Sequence, residues 1–126
     1  MEETILLYHM DENIKNIIQT LAQQLGVIVK DIDDSLKCQS MGYILGIDGF
    51  EKSDELELTD DMEKEFVFFA GMVEEQLDIL LDLFKMAGIP MIPYKAMLTE
   101  HNVEYPFYQL YRNVAHEYAQ IAGMKD

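Results

Sequence analysis

Residues 4–32 read TILLYHMDENIKNIIQTLAQQLGVIVKDI, and this stretch sets the fold class. Thr4 to Met10 is a short, continuous apolar run, the mark of a strand covered on both faces. Asp11 stands where a helix N-cap is needed, its carboxylate placed to accept from first-turn amides. Ile14, Ile17, Ile18, Leu21, Ala22 and Leu25 follow at three- and four-residue spacing, so they share one helix face. Gly26 fits the C′ position, where the backbone turns left-handed. Val27 to Ile32 alternates less cleanly and carries Lys30 and Asp31, which suits a strand nearer a sheet edge.

The same rhythm extends outward. Asp34 or Ser35 is placed to cap a second, shorter helix through about Leu45, closed by Gly46. Residues 47–64 (IDGFEKSDELELTDDMEK) then break the pattern, with much acid and no sustained apolar period. They read as an exposed connection, with a turn or strand fragment at Leu56 to Leu58. Connections this long are uncommon inside compact domains, so the readings are a solvated loop or a lid. Phe66 to Ala70 (FVFFA) is the second strongly apolar strand. Leu77, Leu80, Leu81, Phe84 and Ala87 mark a third helix, ended by Gly88. Ile89 to Tyr94 (IPMIPY) reads as a strand whose Pro90 and Pro93 confine it to an edge. Phe107, Leu110, Tyr111, Val114, Ala115, Tyr118 and Ile121 line a last helix, with Pro106 in its first turn.

Strands alternating with helices imply parallel βαβ units. The continuously apolar first and third strands belong at the centre; the mixed second and the proline-bearing fourth belong at the edges. The expectation is a small three-layer α/β domain, with a four-stranded parallel sheet of order 2-1-3-4 and helices on both faces. Right-handed crossovers place the first helix on one face and the second and third on the other, with the fourth beside the first. No repeat of 20 to 50 residues is visible, and residues 1–126 read as a single domain with an acidic connection at about 47–64.

Composition excludes several functions. Twenty-four acidic residues face nine basic ones, for a formal charge of −15, and Arg112 is the sole arginine. Nucleic-acid backbones need clustered Lys and Arg to displace counterions, and anionic membranes need the same. Neither is expected as a partner. The surplus is local in part: Glu51 to Glu65 alone holds eight of the 24 acids. The single cysteine, Cys38, removes any internal disulfide framework and any multi-cysteine metal site, which points to a reducing compartment. With no apolar run long enough to span a bilayer and an acidic start at Met1-Glu2-Glu3, the chain reads as cytoplasmic.

Several strings also carry a resemblance. ILLYHMDENIKNIIQTLAQQLGV, CQSMGYILGIDGFE, EFVFFAGM and LDILLDLFKMAGIPMIPYKAMLTEHN are similar to a bacterial domain-of-unknown-function family (number thirty-seven eighty-three). The resemblance runs over nearly the whole chain and is densest from Leu77 to Asn102. It implies a bacterial, cytosolic α/β protein and brings no activity, cofactor or partner with it.

In an open parallel sheet, ligands bind at the carboxyl ends of the strands, near the switch in strand order. That rule gathers His9, Met10, Asp11, Asp33, Asp34, Gly71 and Met72, with Lys95, Thr99, His101 and Asn102 after the fourth strand. The candidate ligand site is therefore His9, Asp11, Asp33, Lys95, Thr99, His101 and Asn102. His9, His101 and Asp11 or Asp33 could form a His/His/carboxylate metal set, yet no pair has diagnostic spacing, and neither a metal nor a cofactor is expected. His9 could equally hydrogen-bond inside the protein, and His101 could cap a loop. Cys38 beside Lys37 is a reactive thiol or a small core residue. Asp60, Asp61, Glu63 and Glu65 lack the frame of a calcium loop, so they read as a solvated run. GYILGIDG at 42–49 fits no nucleotide fingerprint, and no GxSxG occurs.

The second half is rich in Met and Tyr. Met91, Tyr94, Tyr105, Phe107, Tyr108 and Tyr111 form a candidate interface, because Met and Tyr favour adaptable contact surfaces. The alternative is that these rings cover the sheet. Two functions stand: a non-enzymatic binding or protein-interaction module, with a protein or a second copy as partner, and a small-ligand or metal site at the strand ends, the latter including a cryptic enzyme. The absence of any motif with enforced spacing favours the first.

Overall fold

The computed structural model describes residues 1–56 and 62–124. Strand β1 (Thr4–Tyr8) leads through Asp11 into helix α1 (Glu12–Leu25). Asp11 caps that helix as expected, its Oδ2 accepting from the amides of Asn13 and Ile14 at 3.0 and 3.2 Å. Gly26 closes it at φ 72°, and β2 (Ile28–Ile32) follows. The helix expected from Asp34 to Leu45 is instead two pieces, a 3-10 turn at Asp34–Leu36 and a single α-turn, α2 (Met41–Ile44). Then come β3 (Phe66–Ala70), α3 (Glu74–Met86), β4 (Tyr94–Met97), a second 3-10 turn at Asn102–Glu104, and α4 (Phe107–Met124). The fourth strand thus begins where the expected one ends. Its prolines lie in the lead-in, where no ladder donor is needed. Among the described residues, no helix is long and apolar enough to cross a membrane.

The strand order is β2-β1-β3-β4, as expected. The sheet is mixed, however, not wholly parallel. β1 pairs in parallel with β2, and β3 with β4, but β1 and β3 run antiparallel, with Thr4 opposite Ala70 and Tyr8 opposite Phe66. β3 starts at the end of the sheet where β2 finishes, Tyr8 lying beside Ile32 on one side and opposite Phe66 on the other.

This reversal changes the layers. Each βαβ unit steps outward from the centre, the two in opposite directions and with opposite strand polarity. A right-handed crossover in both then delivers both helices to one face. Accordingly α1 and α3 share a face, packing Ile18, Ala22, Leu80 and Phe84 against Ile5, Leu7, Val67 and Phe69. The other face holds α2 and α4, with Met41, Leu45, Phe107, Leu110 and Tyr111 against Leu6, Tyr8, Phe66 and Phe68. The expected pairing of the second helix with the third, and of the fourth with the first, is overturned.

The element order is itself doubled: strand, helix, strand, 3-10 turn, helix, twice over. An approximate two-fold axis passes between β1 and β3. Where it emerges beside α2 and α4, Ser40 and Pro106 form a bridge, with the Met41 amide donating to Tyr105 O and the Phe107 amide to Gln39 O at 2.9 and 3.0 Å. The repeat is longer than the periods considered from sequence: Thr4, Glu12 and Gly26 correspond to Phe66, Glu74 and Gly88.

Part of the expected solvated connection is anchored. Gln39 exchanges two hydrogen bonds with the Ser53 backbone at 2.7 and 3.0 Å, and Tyr108 donates to Glu55 at 2.7 Å. Met62 is buried under α4. The strand fragment expected at Leu56 to Leu58, and the acids Asp60 and Asp61, lie outside the described residues apart from Leu56.

Candidate binding site

The reversed strands divide the candidate ligand residues between the two ends of the sheet. His9, Asp11 and Asp33 follow β1 and β2, beside the start of β3. Thr99, His101 and Asn102 follow β4, at the opposite end. A site combining His9 with His101 is therefore ruled out by distance along the strands. Gly71 and Met72, which follow β3, also lie away from His9.

At the first end the polar groups satisfy one another. His9 adopts a left-handed backbone (φ 50°), and its ring stacks on Tyr8 with centroids 4.0 Å apart. Asp34 Oδ1 lies 2.9 Å from the Tyr8 hydroxyl, 3.1 Å from His9 Nε2 and 3.4 Å from Lys37 Nζ. Partial burial pushes this carboxyl up, but the hydrogen bonds from Tyr8 and His9 and the Lys37 charge outweigh it and hold Asp34 below the usual range. Burial, and then the bond to Asp34, drive the Tyr8 phenol far above its ordinary value. Asp33 caps the 3-10 turn by accepting from Ser35 N at 2.8 Å, and the Asp11 amide donates to Glu65 at 2.8 Å. Each carboxylate already has a structural partner. Among the described residues, no group of three or more His, Cys, Asp or Glu could hold a metal.

At the second end Lys95, Thr99, His101 and Asn102 do come together, lining an open, polar depression of about 340 Å³ beside α4 with Asn113 and Glu117. Buried Asn102 accepts from Thr99 N at 2.8 Å, donates from its own amide to Thr99 Oγ1 at 3.0 Å, and donates from its side chain to Met97 O at 2.8 Å. His101 is exposed at the head of the turn. The candidate interface also divides. Phe107 and Tyr111 are buried, packed with Tyr8 and Phe66 against the sheet, so they are not available to a partner. Tyr94, Tyr105 and Tyr108 are half-buried, and Arg112 sits over the Tyr108 ring. Met91 alone of this set stands well out, 83% exposed.

Met91, and Lys95 as well, also line a third place. A pocket of about 310 Å³ opens between α3 and β4, lined by Val67, Leu81, Phe84, Lys85, the segment Ile89 to Ile92, and Lys95. The two-fold relation explains its origin. In the first half, β2 starts two residues after Gly26; in the second, β4 starts six residues after Gly88. The four extra residues, with Pro90 and Pro93 stiffening them, hold β4 away from the end of α3. Lys95 faces the α3 side because it pairs with Val67, whose side chain points there. Its Nζ lies 3.5 Å from Ile92 O, at the outer limit of a hydrogen bond. Sequence reading took Leu81 and Phe84 for an ordinary core stripe and missed Lys85. The visible signal was the four-residue difference between GVI and GIPMIPY, legible only when the halves are aligned.

A family model matches residues 65–121: Domain of unknown function (DUF3783). That segment is similar to this family. The resemblance read from the sequence runs over nearly the whole chain, whereas the match starts at Glu65 and leaves the first half outside. The matched segment contains the whole pocket between α3 and β4. No curated protein and no solved structure matches the chain.

Proposed function

We propose that the protein is a non-enzymatic binding module whose contact site is the pocket between α3 and β4. The observation that carries this reading is the character of the pocket wall. Val67, Leu81, Phe84, Ile89, Pro90, Met91 and Ile92 are apolar, and the side chains contributing charge are two lysines. Such a surface supplies burial and orientation, as binding pockets of roughly 300 Å³ and more do. Its lining includes no carboxylate, histidine, cysteine, serine or threonine. The polar clusters at the two sheet ends support the same reading, since their hydrogen bonds stabilise turns and caps. Exposed Met86 and Met91 flank the region with adaptable apolar surface.

A neutral solvatochromic dye tests the site. The full chain should bind it with a blue-shifted emission, and Leu81→Trp, which extends a ring into the pocket, should weaken binding at least tenfold without loss of helix signal. Dye binding that Leu81→Trp leaves untouched would place the contact surface elsewhere and defeat the reading.

A further inference from the structure

We propose that the pocket between α3 and β4 takes a small amphipathic anion, a carboxylate carrying an apolar body. This rests on the reading of that pocket as the binding site and adds the chemical class of its ligand. Its volume of about 310 Å³ accommodates a chain of roughly eight carbons at the packing density of protein interiors. The apolar lining accounts for the body of such a ligand. The two lysines account for its head.

Positive charge is scarce in this chain, with nine basic residues against 24 acidic ones, yet two of the nine line this one pocket. Among the described residues two other lysines meet a carboxylate, whereas Lys30, Lys52 and Lys64 show no ion pair there. Lys15 meets Asp31 and Lys37 meets Asp34. Among the described residues, neither Lys85 nor Lys95 has a carboxylate within ion-pair distance. Lys85 comes from the last turn of α3, and Lys95 from the α3-facing side of β4. The two therefore approach the pocket from opposite walls. An ammonium on each side of an apolar cavity is complementary to one anionic group at the mouth of a buried chain. The overall charge of −15 acts in the other direction, since it repels anions and attracts cations at long range. A preference for a carboxylate over an ammonium can then arise only from these local charges.

The test uses the full chain and three probes of equal length: octanoate, octanol and octylammonium, each followed by amide NMR. Octanoate should shift the resonances of Leu81 to Lys95 and bind at least tenfold more tightly than octylammonium, with octanol between them. Lengthening the carboxylate from six to eight carbons should tighten it by about fourfold per methylene. Lys85→Gln and Lys95→Gln should each cost octanoate roughly two- to fivefold, and the double variant should bring octanoate level with octanol while octanol binding stays unchanged. Equal binding of octanoate and octylammonium, or a preference that survives in the double variant, would overturn the anion assignment and leave the pocket reading standing. Failure of all three probes to shift pocket resonances at low-millimolar concentration would overturn both.

Discussion

The two halves of the molecule solve the same geometric problem with different residues. Both leave a central strand through a left-handed residue, enter a helix, and return to an outer strand after a left-handed glycine. After β1 the left-handed position is His9; after β3 it is Gly71. The first half uses that freedom to carry a ring stacked on Tyr8 and bonded to Asp34. In the second half the backbone before β1 has closed in. A Cβ on Gly71 would sit 2.5 Å from Glu2 O and 2.9 Å from Glu2 C. One half thus elaborates its turn, and the other elaborates its return to β4, where four extra residues open a pocket. Symmetry sets the frame, and the departures from it carry the chemistry.

The largest effect should come from exchanging the left-handed residues. Gly71→Ala pays the left-handed penalty of about 1–2 kcal/mol and must also displace the Glu2 backbone, so a total near 3–5 kcal/mol is expected. His9→Gly relieves the same backbone penalty but gives up about 0.5–1.5 kcal/mol of ring stacking and roughly 0.5–1 kcal/mol of chain entropy. Its net effect should lie within about 1 kcal/mol of zero. Urea unfolding of the two variants checks both. Similar losses at the two sites would break the comparison, because available space would then not distinguish the turns.

Much of the fold was legible because its determinants are local. The apolar runs of β1 and β3, the stripe of α1 and the caps at Asp11 and Gly26 each lie within a few residues of the element they define. Strand direction was not, because it is set by pairing between strands far apart in the chain, Tyr8 opposite Phe66. The helix expected from Asp34 to Leu45 is interrupted. The break at Gln39 and Ser40 comes from backbone bonds to Tyr105 and Phe107, which no local pattern announces. From the expected parallel direction of β3 followed the wrong helix pairing and a ligand site assembled from opposite ends of the sheet. Met91 was singled out for composition and Lys95 for its place after the expected fourth strand. Their meeting with Lys85 depends on the lead-in to β4, which the proline count mistook for the strand itself.

A middle-sized effect should separate Tyr8 from its counterpart Ala70. The Tyr8 hydroxyl donates within reach of Met62 O at 2.8 Å and Asp34 Oδ1 at 2.9 Å, so Tyr8→Phe should cost about 1–3 kcal/mol at neutral pH. It should also alter the response to alkali. The folded-state pKa of Tyr8 is raised, so above the unfolded value of about 10 the unfolded chain releases this proton first, and stability falls as pH rises. Tyr8→Phe removes that contribution and should flatten the loss of stability between about pH 10 and 11. An unchanged alkaline slope in the variant would mean that the hydroxyl is not held as the distances indicate.

The smallest effect concerns the helix starts, and there the second half has room to gain. Asp11 caps α1 with its side chain, and Asp11→Ala should cost about 1 kcal/mol. Val73 occupies the equivalent place before α3, in extended backbone, with no side-chain acceptor to offer. Only the return half of a cap is present: Gln76 accepts from the Val73 amide at 3.1 Å. Serine at this position would supply the missing acceptor for the first-turn amides, completing the reciprocal pair. Val73 is 62% exposed, so little apolar burial is lost in the exchange. Serine also adds no charge beside Glu74 and Glu75, which an aspartate would. Val73→Ser should therefore raise stability by roughly 0.5–1 kcal/mol, with the midpoint of thermal unfolding moving up by a few degrees. A loss in its place would show that the Val73 side chain packs usefully as it stands, and that the two helix starts are less alike than their shared position in the repeat implies.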